Sequence, residues 1–281
     1  MHGSLRILAT GPFACVQDLG RSGYACIGVG ESGAADRGAL RLANRLVGNP
    51  EDAAGIEVLV GGFAARAHEP TLIAITGAAG PATVNGRPVG MNAAVTVSAG
   101  AVLQLDAAQT GLRRYLSLRG GIDVAPVLGS RATDTFSGVG PAPLAPGTLL
   151  PIGVPHLPVP DVDVAAVAPP DADPVLTITA GPRADWFRSD ALVGRFYTVS
   201  PDSDRVAVRL RGKRVRRTVE RDLAPEGLVR GAVQVPSDGQ PLIFLADHPV
   251  TGGYPVVAVL TDTAVDRAAQ LRPGQTARFA R

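Results

Sequence analysis

A mainly β protein in two halves is what this sequence predicts. Three observations carry that expectation: short apolar runs separated by tight turns, an excess of Gly and Pro over aromatic residues, and one proline-rich stretch that divides the chain. With 34 Gly, 24 Pro and only 4% aromatics in 281 residues, the chain has many breakers and little room for long helices. The length suits one large domain or two ordinary ones. The dividing stretch, residues 151–174, carries Pro151, Pro155, Pro158, Pro160, Pro169, Pro170 and Pro174 with Asp161, Asp163, Asp171 and Asp173 between them. Proline fixes φ and removes a backbone donor, so this stretch is expected to be an extended linker. It separates a β-rich half with one helix, residues 1–150, from a second β-rich half, residues 175–281.

In the first half the helix is expected after Asp36, a capping residue. Ala39, Leu40, Ala43, Leu46 and Val47 form its apolar face, Arg37, Arg41 and Arg45 its polar one, and Gly48 and Pro50 stop it. Strands follow at Ile56–Val60, Leu72–Thr76, Ala82–Val84, Ala94–Val97, Val102–Leu105 and Tyr115–Leu118. Asn85-Gly86 between two of them signals a type I′ hairpin, since both residues tolerate positive φ. The second half repeats the style at Val175–Ala180, Phe196–Val199, Val206–Leu210, Gly231–Val235, Leu242–Leu245 and Val256–Leu260, with a short helix at Asp262–Ala269. Short, closely spaced strands argue for barrels or sandwiches.

A formal net charge of +2 gives no reason to expect nucleic acid or membrane as partner. No apolar run approaches the length of a membrane span, and residues 1–6 lack the pattern of a secretion signal, so a cytoplasmic location is expected. Cys15 and Cys26 are too few for a disulfide scaffold and are expected to be buried free thiols; no His or Cys stands at metal-ligand spacing. Arg205–Arg221 holds seven arginines and Lys213, the single lysine, against one acid, Glu220. A strand with Val206, Val208 and Leu210 inward turns Arg205, Arg209 and Arg211 outward, leaving a solvated face, a partner interface or an anion site as alternatives.

Gly28-Val29-Gly30-Glu31-Ser32-Gly33 matches the dinucleotide fingerprint G-x-G-x-x-G. Asp36, however, occupies the helix start where a pyrophosphate must sit, the acids at Glu51 and Asp52 precede the next strand, and no β-α alternation follows. The glycines are better read as turn residues. Polar residues inside glycine-bounded turns are more informative. They are Gln17-Asp18-Leu19-Gly20-Arg21, Gly129-Ser130-Arg131-Ala132-Thr133-Asp134, Asp238-Gly239-Gln240-Pro241 and Thr251-Gly252-Gly253-Tyr254-Pro255. Carboxylates beside Arg in such turns offer a small polar substrate a charge clamp and close backbone approach.

These blocks come in one order together with Ala43-Asn44-Arg45-Leu46-Val47-Gly48-Asn49, Gly120-Gly121-Ile122-Asp123-Val124, Leu128-Gly129-Ser130-Arg131, Asp185-Trp186-Phe187 and Gly231-Ala232-Val233-Gln234-Val235-Pro236. In that order, from about residue 8 to 279, the chain resembles the allophanate-hydrolase-subunit-2 family of biotin-dependent carboxyltransferase-like proteins. It departs from the family pattern at Ala125, Ala132, Val139, Pro141, His248 and Val250. The resemblance implies a cyclophilin-like β-barrel and a partner of the allophanate-hydrolase-subunit-1 type. The first function it implies is that of a subunit of a heteromeric, ATP-dependent 5-oxoprolinase, with a third subunit, opening a lactam to glutamate. The alternatives are carboxyl transfer from carboxybiotin to urea, with biotin as cofactor, and a non-catalytic antagonist of a kinase-inhibitor-like partner.

For the lactam reaction, phosphorylating the amide oxygen activates the amide carbon so that water can attack, and a site must hold a carboxylate, a lactam and a phosphoryl group together. On the matching segments Arg21 and Arg131 are expected to clamp anions. Asp18, Asp134 and Asp238 are expected at the catalytic centre, and Gln17, Gln240 and Tyr254 to orient substrate.

Overall fold

The computed structural model describes residues 3–281, and the chain divides into two compact units. One comprises the stretch ending at Arg21, Asp36–Asp134 and Gly138–Pro170; the other Ser22–Ala35, Thr135–Ser137 and Asp171–Arg281. Two short segments of the first 150 residues therefore fold with the C-terminal unit.

The first unit runs β1 (Ser4–Thr10), β2 (Phe13–Gln17), α1 (Arg37–Leu46), β3 (Gly55–Leu59), β4 (Phe63–Ala67), β5 (Thr71–Ala79), β6 (Ala82–Val84), β7 (Arg87–Pro88), β8 (Ala94–Val97), β9 (Val102–Leu105), β10 (Thr110–Leu118) and β11 (Leu149–Pro151). They make a six-stranded sheet, β11-β1-β4-β9-β6-β7, and a five-stranded sheet, β2-β3-β10-β5-β8. Ile7, Phe63 and Leu103 from one sheet and Ile56, Ile73 and Leu116 from the other share one buried cluster, so the two pack face to face. Helix α1 covers the outer face of the smaller sheet, burying Ala43 and Leu46 against Ala74, while Thr76 Oγ1 donates to the Ala39 carbonyl at 2.7 Å. Asp36 caps α1 by accepting from the Ala39 N–H at 2.8 Å. The hairpin turn at Asn85-Gly86 has positive φ at both residues, 50° and 74°. Pro151 lies in an edge strand, the place in a sheet that tolerates it. Beyond it the proline-rich stretch runs along this unit, where Arg119 donates to the Leu157 carbonyl and the Ala165 N–H to that of Asn92.

The second unit runs β12 (Val175–Ala180), β13 (Phe196–Val199), β14 (Ala207–Gly212), β15 (Glu226–Gly227), β16 (Ala232–Gln234), β17 (Leu242–Phe244), β18 (Thr251–Gly252), β19 (Val256–Leu260), α2 (Asp262–Ala269) and β20 (Thr276–Ala280). Seven of these strands close a barrel in the order β12-β19-β16-β17-β14-β13-β20. Six neighbouring pairs are antiparallel, and a parallel pairing of β12 with β20 completes the ring and removes its edges. Leu176, Tyr197, Leu210, Val233, Ile243 and Phe279 fill it, with Tyr197 and Phe279 edge-to-face at 5.7 Å. Val265 and Ala268 of α2 join the same core.

Two sequence expectations are corrected. Cys15 is buried but Cys26 is exposed, because it lies in a surface 3-10 turn, Ala25–Ile27, rather than in a strand. Arg205 does not face solvent: it precedes β14, so strand alternation does not govern it, and its guanidinium pairs with buried Asp247. Arg209 and Arg211 are exposed as expected. Strands β1, β2, β4, β7, β11, β15, β18 and β20 lie outside the expected strands; β4 and β20 are alanine-rich and weakly patterned, so pairing decides them. Gly28-Val29-Gly30-Glu31-Ser32-Gly33 is a turn in which Gly28, Ser32 and Gly33 have positive φ, and the 3-10 turn Ala25–Ile27, not a strand, leads directly into it.

Candidate functional site

In the first unit the end of β2 and the segment 130–134 build one polar centre. Asp18 accepts three hydrogen bonds: from Ser130 Oγ at 2.6 Å, from the Gly20 N–H at 2.8 Å and from the Arg131 N–H at 2.5 Å. Its carboxylate is thereby a joint that holds the two loops together. Gln17 Nε2 donates to the Thr133 carbonyl at 2.8 Å and to Cys15 Sγ at 3.1 Å, and the Thr133 N–H donates back to Val16. Arg21 Nη2 donates to the Ala132 carbonyl, one residue before Gln17's partner.

Arg21 Nε and Nη1, and Gln17 Oε1, are shut off from solvent and have no partner among the described residues. Arg21 is 2% exposed and Gln17 0%. Buried donors and acceptors are nearly always satisfied, and a buried guanidinium without a counter-charge is costly. Asp18, the adjacent acid, is already engaged by three donors. The centre thus presents two cationic donors and one acceptor that no described group satisfies. Gly140 lies over it: its φ of +94° suits only glycine, and a Cβ there would overlap the Ala132 carbonyl and approach Arg21 Nη2 to 3.0 Å. Asp134, also buried, anchors the same covering segment, its N–H donating to Val139 and its carbonyl accepting from Gly138.

Arg131 joins the centre only by its backbone. Its guanidinium donates to the Val124 carbonyl at 2.8 Å and to Asp123 at 2.7 Å, and it lines a pocket of about 320 Å³ with Asn49, Asp123 and His156. Of the predicted residues only Arg131 reaches that pocket. Asn49 went unmarked as a site residue although its block carried the family resemblance; buried, it ties Leu118 to Gly120 by bonds of 2.7 and 2.8 Å. A second buried cluster behind β10 pairs Glu57 with Arg113 at 3.5 Å and with the Tyr115 hydroxyl at 2.8 Å, which also accepts from the Asp36 N–H. Burial, reinforced by the Glu57 and Asp36 charges, holds the Tyr115 phenol well above its ordinary pKa.

In the second unit Asp238 and Gln240 share one turn. Asp238 Oδ1 accepts from the Gln240 N–H at 2.9 Å, and the Gln240 amide bonds both backbone groups of Gly212, at 2.8 and 3.2 Å. That turn walls a cleft of about 770 Å³ whose other side is Lys213, Arg214, Arg216 and Arg217. Tyr254 is half exposed; its carbonyl accepts from Gln234 Nε2 at 2.8 Å and its ring lies 5.9 Å from the Arg217 guanidinium. Elsewhere in this unit buried Asp247 accepts from Ser32 Oγ, from Thr135 N–H and Oγ1, and from Arg205 Nε and Nη2, at 2.6–3.1 Å. Burial raises the Asp247 pKa, but Arg205 and the hydroxyl donors outweigh it and hold the group below the ordinary carboxylate value. Nothing in the sequence marks this cluster, since Ser32, Thr135 and Asp247 stand far apart in it. Among the described residues no group of three His, Cys, Asp or Glu side chains gathers to hold a metal, and no helix is long and apolar enough to cross a membrane.

A closed seven-stranded barrel and a β sandwich carrying these loops define a carboxyltransferase-type protein: residues 27–281 match the family described as carboxyltransferase domain, subdomain A and B, and the chain belongs to it. Among particular relatives, it is 34% identical to the C subunit of 5-oxoprolinase from Escherichia coli K12, spanning 98% of this chain and 90% of that one. It is 31% identical to urea amidolyase of Lachancea kluyveri over 98% of this chain but 17% of the enzyme. The solved structure of TTHA0988 superposes with a TM-score of 0.91 at 30% identity, covering all of this chain and 56% of that one. The Kluyveromyces lactis urea carboxylase superposes with a TM-score of 0.89 at 30% identity, over 98% of this chain and 27% of that enzyme. In TTHA0988 and the yeast enzymes the matching region is therefore part of a longer polypeptide.

Proposed function

We propose that this chain is the C-type subunit of an ATP-dependent 5-oxoprolinase. The observation that carries this reading is the end-to-end match to the bacterial 5-oxoprolinase C subunit, which leaves only about a tenth of that relative unmatched, whereas the urea amidolyase match takes in 17% of its enzyme. By its name that relative is one subunit among several. The present chain accordingly works with further subunits, one of the allophanate-hydrolase-subunit-1 type and a third.

The Arg21–Gln17 centre suits a lactam acid. Arg21 Nε and Nη1 call for a carboxylate or amide oxygen and Gln17 Oε1 for an amide N–H, the two kinds of group a lactam acid carries. Asp18 keeps both loops in register. ATP would supply a phosphoryl group to the amide oxygen, which activates the lactam carbon for water; the ring C–N bond then breaks, the nitrogen taking a proton, and hydrolysis of the resulting acyl phosphate releases glutamate and phosphate. The family description and the urea amidolyase match favour a second reading, carboxyl transfer from carboxybiotin to a urea-type amide held on the same atoms.

The test is co-expression with the partner subunits, followed by ATP-dependent release of glutamate from 5-oxoproline. Turnover that Arg21→Ala reduces at least about a hundredfold, the loss of two charge-assisted bonds, supports the proposal. A complete complex that ignores 5-oxoproline but consumes urea with a biotinylated carrier overturns it in favour of the second reading.

A further inference from the structure

We propose that the basic cleft on the barrel binds a ligand bearing two or more linked phosphates. This goes beyond the lactam reading and does not depend on it, since every residue concerned belongs to the barrel unit.

The cleft is built rather than incidental. Val215, 2% exposed, sinks into the barrel core and fixes the middle of the segment 213–217, while its N–H donates to the Gly239 carbonyl at 2.9 Å. Arg214 Nε donates to the Asp238 carbonyl at 2.7 Å and Arg217 Nη2 to that of Val235 at 2.6 Å. These bonds fix both guanidinium groups; exposed Arg214 keeps its two Nη groups for a ligand, whereas Arg217 Nε is shut off from solvent. Gly239, at φ +74°, lets the opposing turn close in; a Cβ there would stand 3.0 Å from the Val215 carbonyl and force the walls apart.

The charge is unbalanced. Lys213, Arg214, Arg216 and Arg217 face one carboxylate, Glu220: four positive minus one negative leaves +3. Lys213 and Arg216 are exposed and have no ion-pair partner among the described residues. Asp238, exposed in the opposing turn, accepts from the Gln240 N–H but keeps its charge, so the balance is +2 when it is counted with the lining residues. Four like charges held together repel one another, and an anion relieves that repulsion.

Chain chemistry narrows the anion. One phosphate group carries about −1.5 to −2, and a second, linked phosphate adds the charge and the acceptor oxygens to engage all four cations at once. Guanidinium forks match phosphate oxygens bidentately, and a cleft of about 770 Å³ admits a compact ligand of this size. Its lining contains no aromatic ring, so a base gains no stacking platform and recognition rests on the phosphate chain. An acidic polypeptide segment is the competing ligand; concavity and forked donors favour the phosphates.

The experiment is calorimetric titration of the full chain with pyrophosphate, at about 0.01 M and about 0.1 M ionic strength, where screening lengths are roughly 30 and 10 Å. Binding that weakens with salt is expected. The Lys213→Ala/Arg216→Ala variant should bind at least about tenfold more weakly, and Lys213→Arg/Arg216→Lys within about threefold of the parent. Emission of buried Trp186 verifies folding. Should the double variant misfold, Arg216→Gln alone, a change at an exposed and unpaired side chain, repeats the comparison. No heat from pyrophosphate, an alanine variant that binds like the parent, or a poly-aspartate peptide that binds more tightly than pyrophosphate each overturns the assignment.

Discussion

Replacing Asp247 by Asn keeps the shape of the side chain and removes its charge. The carboxylate accepts five hydrogen bonds and is paired with Arg205, both side chains being almost fully buried. Asn offers one oxygen where two stood, and its NH2 group, a donor, must face at least two of the donors that Asp247 now satisfies. Arg205 keeps its bond to the Gly33 carbonyl, 2.6 Å away, but loses its counter-charge while still buried. Breaking one partner of a buried pair costs about 3–5 kcal/mol. Because Asp247 also receives Ser32 and Thr135, the cost includes release of the segments Ser22–Ala35 and Thr135–Ser137 from the barrel. The assay is urea unfolding followed by Trp186, the single tryptophan, which is buried in the barrel core and reports on that unit. Ser32→Ala, which deletes one donor and leaves the ion pair, should cost about 1–3 kcal/mol and so separates the hydrogen-bond share from the charge share. If Asp247→Asn lowers stability by less than about 1 kcal/mol at unchanged slope, the cluster is not what secures those segments, and the reasoning fails.

Three further outcomes are expected. Asp247, whose pKa is depressed in the fold, contributes stability that is present above the unfolded carboxylate value of about 3.9 and is lost as pH falls through the lower folded value; acid titration of Trp186 emission should therefore show a loss below about pH 4 that Asp247→Asn flattens. Tyr115→Phe removes the hydrogen bonds to the Asp36 N–H and to buried Glu57 and should cost about 1–3 kcal/mol by chemical denaturation, fraying the start of α1; because the Tyr115 pKa is raised, its protonated phenol stabilises the fold up to about pH 10 and that contribution disappears above it. Gly140→Ala forces a side chain onto the Ala132 carbonyl at positive φ and should cost about 1–3 kcal/mol, read as a lower thermal midpoint; an unchanged midpoint would mean that the segment over Arg21 is not packed as described.

The strand framework was legible where side chains alternate or where turn chemistry is strict. Asn85-Gly86 announced its hairpin because few residue pairs tolerate positive φ twice. Asp36 announced α1 because a short acid before an amphipathic run caps a helix better than it serves any other local structure. Phe63-Ala64-Ala65-Arg66-Ala67 announced nothing: alanine favours helix, and the segment is a strand only because β1 and β9 pair with it on both sides. The loops of the candidate site were visible as polar residues between glycines, and the structure brings Gln17, Asp18, Arg21 and the segment 130–134 together. What could not be read was which atoms remain unsatisfied, because that depends on partners more than a hundred residues away, as Ala132 and Thr133 are from Arg21 and Gln17.

Arginine shows why composition stops short of function in this chain. Arg205, Arg21, Arg131 and Arg216 carry the same group in four settings. Arg205 is buried with an acid beside it, so its charge is neutralised and it serves the fold. Arg21 is buried with only a carbonyl, so two of its nitrogens stay unsatisfied among the described residues and suit a ligand. Arg131 is about one-third exposed and paired with Asp123, itself largely exposed, an arrangement that water screens and that contributes little to stability. Arg216 is exposed, unpaired and set among three other cations, where the local field rather than any single bond decides what binds. A neutralising substitution should therefore give four different phenotypes: unfolding at Arg205, lost turnover with fold intact at Arg21, little change in stability at Arg131, and lost anion affinity at Arg216. If all four instead behaved alike, environment would not be the variable that assigns these roles.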